Sequence, residues 1–174
     1  GMDESGPVEI IPPVDPSKGT GVRYLYANGV EMVHGGPGGC FFTGTKGTLH
    51  IDRGVLKSEP EEIITQPLSE KEVHLFQSPG HHRNWVDCIK SREKPIADVE
   101  IGCRSVAIIQ LGNPAYWNNR RIKWDPKAWK FVEGTAPAAW MDRDRRDPWR
   151  LPSVSNQPAT TKPFDPFDPA TTTS

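Results

Sequence analysis

"VRYLYANGVEMVH", Val22 to His34, is the stretch that decides the fold. Val22, Tyr24 and Tyr26 alternate with Arg23 and Leu25, and the aromatic and β-branched residues suit a pleated surface. Asn28–Gly29 then marks a tight hairpin, because a two-residue turn of that kind needs positive φ at its centre. Val30 to His34 is therefore expected to return antiparallel. So short a connection cannot make a parallel crossover.

Outward from this hairpin the same pattern recurs. "PVEII" (Pro7–Ile11) reads as a strand before the turn-rich "PPVDPSKGTG". "CFFTG" and "GTLHI" pair around Gly44–Gly47, and "DRG" (Asp52–Gly54) turns the chain into "VLKSE". The first half is expected to be an antiparallel meander. The period then changes. Ser78 is placed to cap a helix with Pro79 in its first turn. His82, Trp85, Val86 and Ile89 follow at i, i+3, i+4 and i+7, predicting an amphipathic helix that ends near Arg92. Asp98 caps a second helix running towards Trp117, whose overlapping apolar stripes predict broad burial. Pro114 is expected to end or kink it. "RIKWDPKAWKFV" (Arg121–Val132) reads as a hairpin turning at Asp125–Pro126, with a short helix around Pro137–Met141. Strands, then helices, then a hairpin predict an α+β fold, a mostly antiparallel open sheet with helices packed on one face.

Composition sets the boundaries. A chain of 174 residues has the length of one domain, yet only 35% of it is hydrophobic, against about 45–50% in an average globular chain. The deficit lies at the end, where "SVSNQPATTKPFDPFDPATTTS" (Ser153–Ser174) buries too little apolar surface to offset its ordering entropy. Residues 1–152 are read as the domain. Residues 153–174 are read as a Pro/Thr-rich tail, flexible or laid out in extended form.

The net charge of −1, from 21 basic and 22 acidic side chains, gives no electrostatic basis for holding nucleic acid or an anionic membrane. No apolar run approaches the roughly 18 residues that cross a bilayer. The first residues show no signal-peptide pattern, and the compartment stays unknown, with cytoplasm and periplasm both open. Three cysteines, Cys40, Cys88 and Cys103, have no paired spacing and are read as reduced, mostly buried thiols.

The candidate chemistry sits in "GHHRNW", Gly80 to Trp85. Adjacent helical residues point about 100° apart, so His81 and His82 do not chelate one ion from a regular helix, and no metal site is expected. His81 and Asn84 lie near a helix N-terminus, where free N–H groups and partial positive charge can meet a polar ligand. "HGGPGG" (His34–Gly39) lacks the GK[ST] ending of a phosphate loop and leads into a strand. No GxGxxG follows a strand, and no GxSxG elbow exists. His74 is read as structural. Tryptophans 117, 124, 129, 140 and 149 crowd one region, as a core or as a sugar-stacking platform. From the residues alone, no catalytic constellation is complete.

The order of motifs from "GHHRNWVDCIKSREKPIADVEIGCRS" through "LGNPAYW" to "RRDPWRL" resembles the C-terminal part of bacterial-type Gfo/Idh/MocA oxidoreductases, the glucose–fructose oxidoreductase and inositol dehydrogenase relatives. The resemblance implies an NAD(P)-dependent parent acting on a sugar- or polyol-like substrate. In it a Rossmann domain carries NAD or NADP, and this α+β domain shapes the substrate pocket and builds a homo-oligomer through its sheet face. By that reading the chain is truncated: it lacks the Rossmann domain and the helix with the main proton-transfer groups, binds no cofactor itself, holds no catalytic residue and is inactive alone. "EKP" at Glu93–Pro95 follows a helix and is not the family's lysine motif. His81, His82 and Asn84 become the expected substrate-binding residues. The alternative is a non-catalytic module that binds carbohydrate or assembles with protein.

Overall fold

The computed structural model describes residues 5–141 and 145–149 of the chain. The predicted tail from Ser153 lies outside them. The chain divides into two units, Gly1–Met141 and Asp142–Ser174, and all elements named below belong to the first.

Among the described residues eight strands and three α-helices follow one another: β1 (Pro7–Ile11), β2 (Arg23–Tyr26), β3 (Glu31–Val33), β4 (Cys40–Gly44), β5 (Gly47–Asp52), β6 (Val55–Glu59), α1 (Glu62–Thr65), α2 (His81–Ser91), α3 (Val99–Trp117), β7 (Ile122–Asp125) and β8 (Lys130–Phe131). A 3-10 turn at Ala138–Met141 stands where a short helix is expected. All strand pairings are antiparallel, and the fold is α+β.

The strands do not form one meander. They divide into a five-stranded sheet, in the order β3-β2-β1-β7-β8, and a separate three-stranded sheet, β4-β5-β6. The glycine loop after β3 makes the division. Gly35, Gly36 and Gly39 all take positive φ, and Pro37 has no N–H to continue a ladder. In the five-stranded sheet Ile10 stands opposite both Tyr24 and Ile122, so the late strand β7 joins the first.

The period-two pattern of the sequence is realised as one buried face. Ile10, Val22, Tyr24, Ile122 and Trp124 form the core with Leu111 and Ala115 of α3. Burying side chains of this size contributes about 1.5–3 kcal/mol each. Gly112 lets the helix come close to the sheet, since a Cβ there would lie 2.0 Å from the Tyr24 hydroxyl. Burial raises the pKa of the Tyr24 phenol, with a smaller contribution from Tyr26, whose own hydroxyl burial also pushes up. On the sheet's other face Arg23 pairs with Glu31 through two hydrogen bonds, raising the arginine's pKa and lowering the carboxyl's.

Three expectations need correction. First, α2 starts at His81, not after Ser78: Gly80 takes φ 120°, which breaks the helical path, and the Ser78 hydroxyl accepts from the Gly80 N–H instead. Second, α3 is not broadly buried. Only Leu111, Gly112 and Ala115 are buried, because its last turns alone lie over the sheet, and Val106 and Ile109 are exposed. The helix also continues past Pro114 to Trp117, its end held by the Asn118 amide donating to the Pro114 carbonyl at 2.9 Å. Third, the thiols are free but not mostly buried: Cys40 and Cys103 are exposed and Cys88 is half-buried.

Candidate functional site

The sequence places the candidate residues at the first turn of α2, and the structure shows what holds that turn. The Asn84 N–H donates to the Gly80 carbonyl at 2.9 Å, closing the turn. Arg83 pairs with Asp87 one turn on, at 2.9 Å and exposed to solvent, so its contribution is about 0.3–0.5 kcal/mol. The far end closes through Arg92, which takes left-handed geometry and donates its N–H to the Cys88 carbonyl.

His81 and His82 are both exposed, with ring centroids 4.1 Å apart and planes tilted by 49°. Among the described residues neither imidazole has a hydrogen-bond partner. Asn84 differs. It is half-buried, and its side-chain carbonyl accepts the Ile96 N–H at 3.0 Å, across twelve residues of chain. The three residues thus share one turn without converging on one point. No group of three His, Cys, Asp or Glu side chains among the described residues is placed to hold a metal ion. The apolar stripe predicted on α2 is present but uncovered, with Trp85 60% exposed and Ile89 46%.

Two cavities lie away from this turn. One, of about 820 Å³, opens between the β4–β5 hairpin and the segment after α1, lined among others by Phe42, Lys46, Gln66 and Glu72. The Ser69 backbone N–H, assisted by the Ser69 hydroxyl and the charge of Lys46, holds the Glu72 carboxyl below its ordinary pKa. The second, of about 290 Å³, lies between α3 and the β7–β8 hairpin. Trp124, Trp129, Phe131 and Trp140 line it, Trp124 meets Trp129 and Phe131 edge-to-face, and the Arg104 guanidinium lies 5.5 Å from the Trp129 ring centre. The tryptophan count pointed to this region, and three of the five crowded tryptophans meet there. Its concave shape depends on β7 returning beside β1, which local patterning does not reveal.

The glycine loop His34–Gly39 connects two strands. The Gly38 carbonyl lies 3.0 Å from Nε2 of His50, and a Cβ on Gly39 would lie 2.6 Å from the Ile51 carbonyl. The next element after the loop is the strand β4, not a helix. Nε2 of His74 lies 2.9 Å from the Ser69 carbonyl within its own loop. No helix among the described residues is long and apolar enough to cross a membrane.

The family described as "Oxidoreductase family, C-terminal alpha/beta domain", of the Gfo/Idh/MocA type, matches residues 17–151. No curated protein and no solved structure matches the chain.

Proposed function

Because the chain belongs to the oxidoreductase family, as its Gfo/Idh/MocA-type C-terminal alpha/beta domain, we propose that it shapes the substrate site of an NAD(P)-dependent enzyme acting on a sugar- or polyol-like compound. The observation that carries this reading is the family match, which spans the chain from β2 through α2 and α3 to the β7–β8 hairpin. The nicotinamide carrier belongs in this reading to a separate Rossmann domain. His81, His82 and Asn84 border the substrate pocket, which parts outside these residues complete. The chain by itself performs no hydride transfer.

Uncovered apolar surface supports an assembly role. The register Phe42↔Leu49 and Cys40↔Ile51↔Leu56 puts these side chains on one face of the three-stranded sheet, where Phe42 and Leu56 are more than half exposed. A face of this kind fits a homo-oligomer built through the sheet.

The test is NAD+ and NADP+ reduction, followed at 340 nm with a panel of polyols. The isolated chain is expected to be inactive. In an enzyme carrying both domains, His81→Ala and His82→Ala are expected to raise KM or lower kcat. Turnover by the isolated chain would overturn the reading, and unchanged kinetics would remove the histidines from the site. The aromatic cavity favours one second reading, a non-catalytic module that stacks a sugar on Trp129 and Trp140. Saturable quenching of tryptophan fluorescence by an oligosaccharide, without turnover in any two-domain form, would select it.

A further inference from the structure

Among the described residues, the hydrogen bond between Asn84 and Ile96 is the one side-chain bond that runs from the first turn of α2 out of the helix, since Arg83 pairs with Asp87 within it. The segment it reaches, Arg92 to Ala97, connects α2 to α3. That segment is fixed at its start by the left-handed Arg92 and by the Ser91 hydroxyl, which accepts from the Glu93 N–H at 3.3 Å. It is fixed at its end by Asp98, whose carboxylate accepts from the Glu100 N–H at 3.0 Å. Asn84 supplies the point between. A backbone N–H can only donate, so the side-chain atom facing Ile96 must be the carbonyl oxygen, and the acceptor half of the amide is already engaged.

Resting on the substrate-site reading above, we propose that Asn84 is a positioning residue. It acts through its acceptor oxygen, holding the turn that bears His81 and His82 against the loop into α3, and the two histidines are left as the groups that meet substrate. The role depends on an acceptor and not on the amide's NH2. Aspartate keeps that oxygen in the same place, and its negative charge suits the first turn of a helix. Alanine removes the oxygen and leaves the Ile96 N–H to solvent.

The experiment is amide hydrogen exchange, read by NMR on this chain, for the wild type, Asn84→Ala and Asn84→Asp. Exchange of the Ile96 amide, and of the Asn84 amide bonded to Gly80, is expected to quicken about fivefold or more in Asn84→Ala, the change a single lost hydrogen bond implies. Asn84→Asp is expected to stay within about twofold of wild type, because the acceptor survives. Loss of Ile96 protection in Asn84→Asp would overturn the proposal, even if Asn84→Ala failed to fold. Unchanged protection in Asn84→Ala would overturn it too. The readout involves no turnover, so an error about the substrate class leaves it standing. In a two-domain enzyme the same pair gives the functional arm: Asn84→Asp retains kcat/KM while Asn84→Ala loses it. Equal loss in both would mean that the NH2 group contacts the ligand, and would sink the positioning role.

Discussion

Gly112 and Gly102 stand ten residues apart on α3, and the same substitution is expected to have opposite effects at the two. At Gly102 a new Cβ meets nothing within 4 Å, so Gly102→Ala gains helix propensity alone and stabilises by up to about 1 kcal/mol. At Gly112 the Cβ would stand 2.0 Å from the Tyr24 hydroxyl oxygen and 3.0 Å from its Cζ. The ring cannot swing aside cheaply, because Tyr24 is 5% exposed and lies among Ile10, Val22 and Ile122. Overpacking costs about 1–3 kcal/mol, so after the propensity gain Gly112→Ala is expected to destabilise by up to about 2 kcal/mol. Tyr24→Phe removes the nearest atom. In that background the Gly112→Ala penalty should shrink by about 1 kcal/mol or more, a coupling that residues in contact can show. Urea unfolding of the four combinations, with Gly102→Ala as control, measures each term. If Gly112→Ala stabilises as Gly102→Ala does, with no dependence on Tyr24, the close approach of α3 to the sheet is wrong.

Further outcomes follow from other contacts. Asp98→Ala removes the cap of α3 and is expected to cost about 1 kcal/mol in the same unfolding assay. Gly47→Ala would drive a Cβ to 2.1 Å from the Glu59 carbonyl at φ 142°, so the loss should reach or exceed the top of the about 1–3 kcal/mol overpacking range. Faster exchange of the β5 amides would show it. Acid should also destabilise the fold. The N–H groups of Ala128 and Lys127 hold the Asp125 carboxyl below its ordinary pKa, and Arg23 does the same to Glu31. A carboxyl with a lowered folded pKa contributes stability that is present above the unfolded value, about 4, and is lost as pH falls through the folded value. Asp125→Asn keeps an acceptor but not the titration, so the acid limb of stability against pH should be shallower. An unchanged limb would exclude Asp125 as a contributor.

How much of this was legible in the sequence follows the range of each interaction. Alternation at Val22–Tyr26 and the Asn28–Gly29 turn gave β2 and β3, and the Asp98 cap gave the start of α3, because each is settled within a few residues. The pairing of β1 with β7 joins residues more than a hundred positions apart, and no local pattern encodes it. The same holds for burial on α3. Its apolar stripes are real, but only the turn beside Tyr24 meets the sheet. The start of α2 was misplaced because a Ser-Pro pair imitates a helix start, whereas Gly80 has the freedom to redirect the chain. Within the candidate site, adjacency was enough to put His81 and His82 on one helical turn. The bond from Asn84 to Ile96 was not readable, since it depends on how the intervening loop folds back.

On the proposed reading this chain is the substrate-side domain of an oxidoreductase, and a separate domain holds the dinucleotide. Calorimetric titration of the purified chain with NADH, and then with NADPH, tests it most directly. No saturable heat is expected with either nucleotide; saturable one-to-one binding of either would overturn that reading.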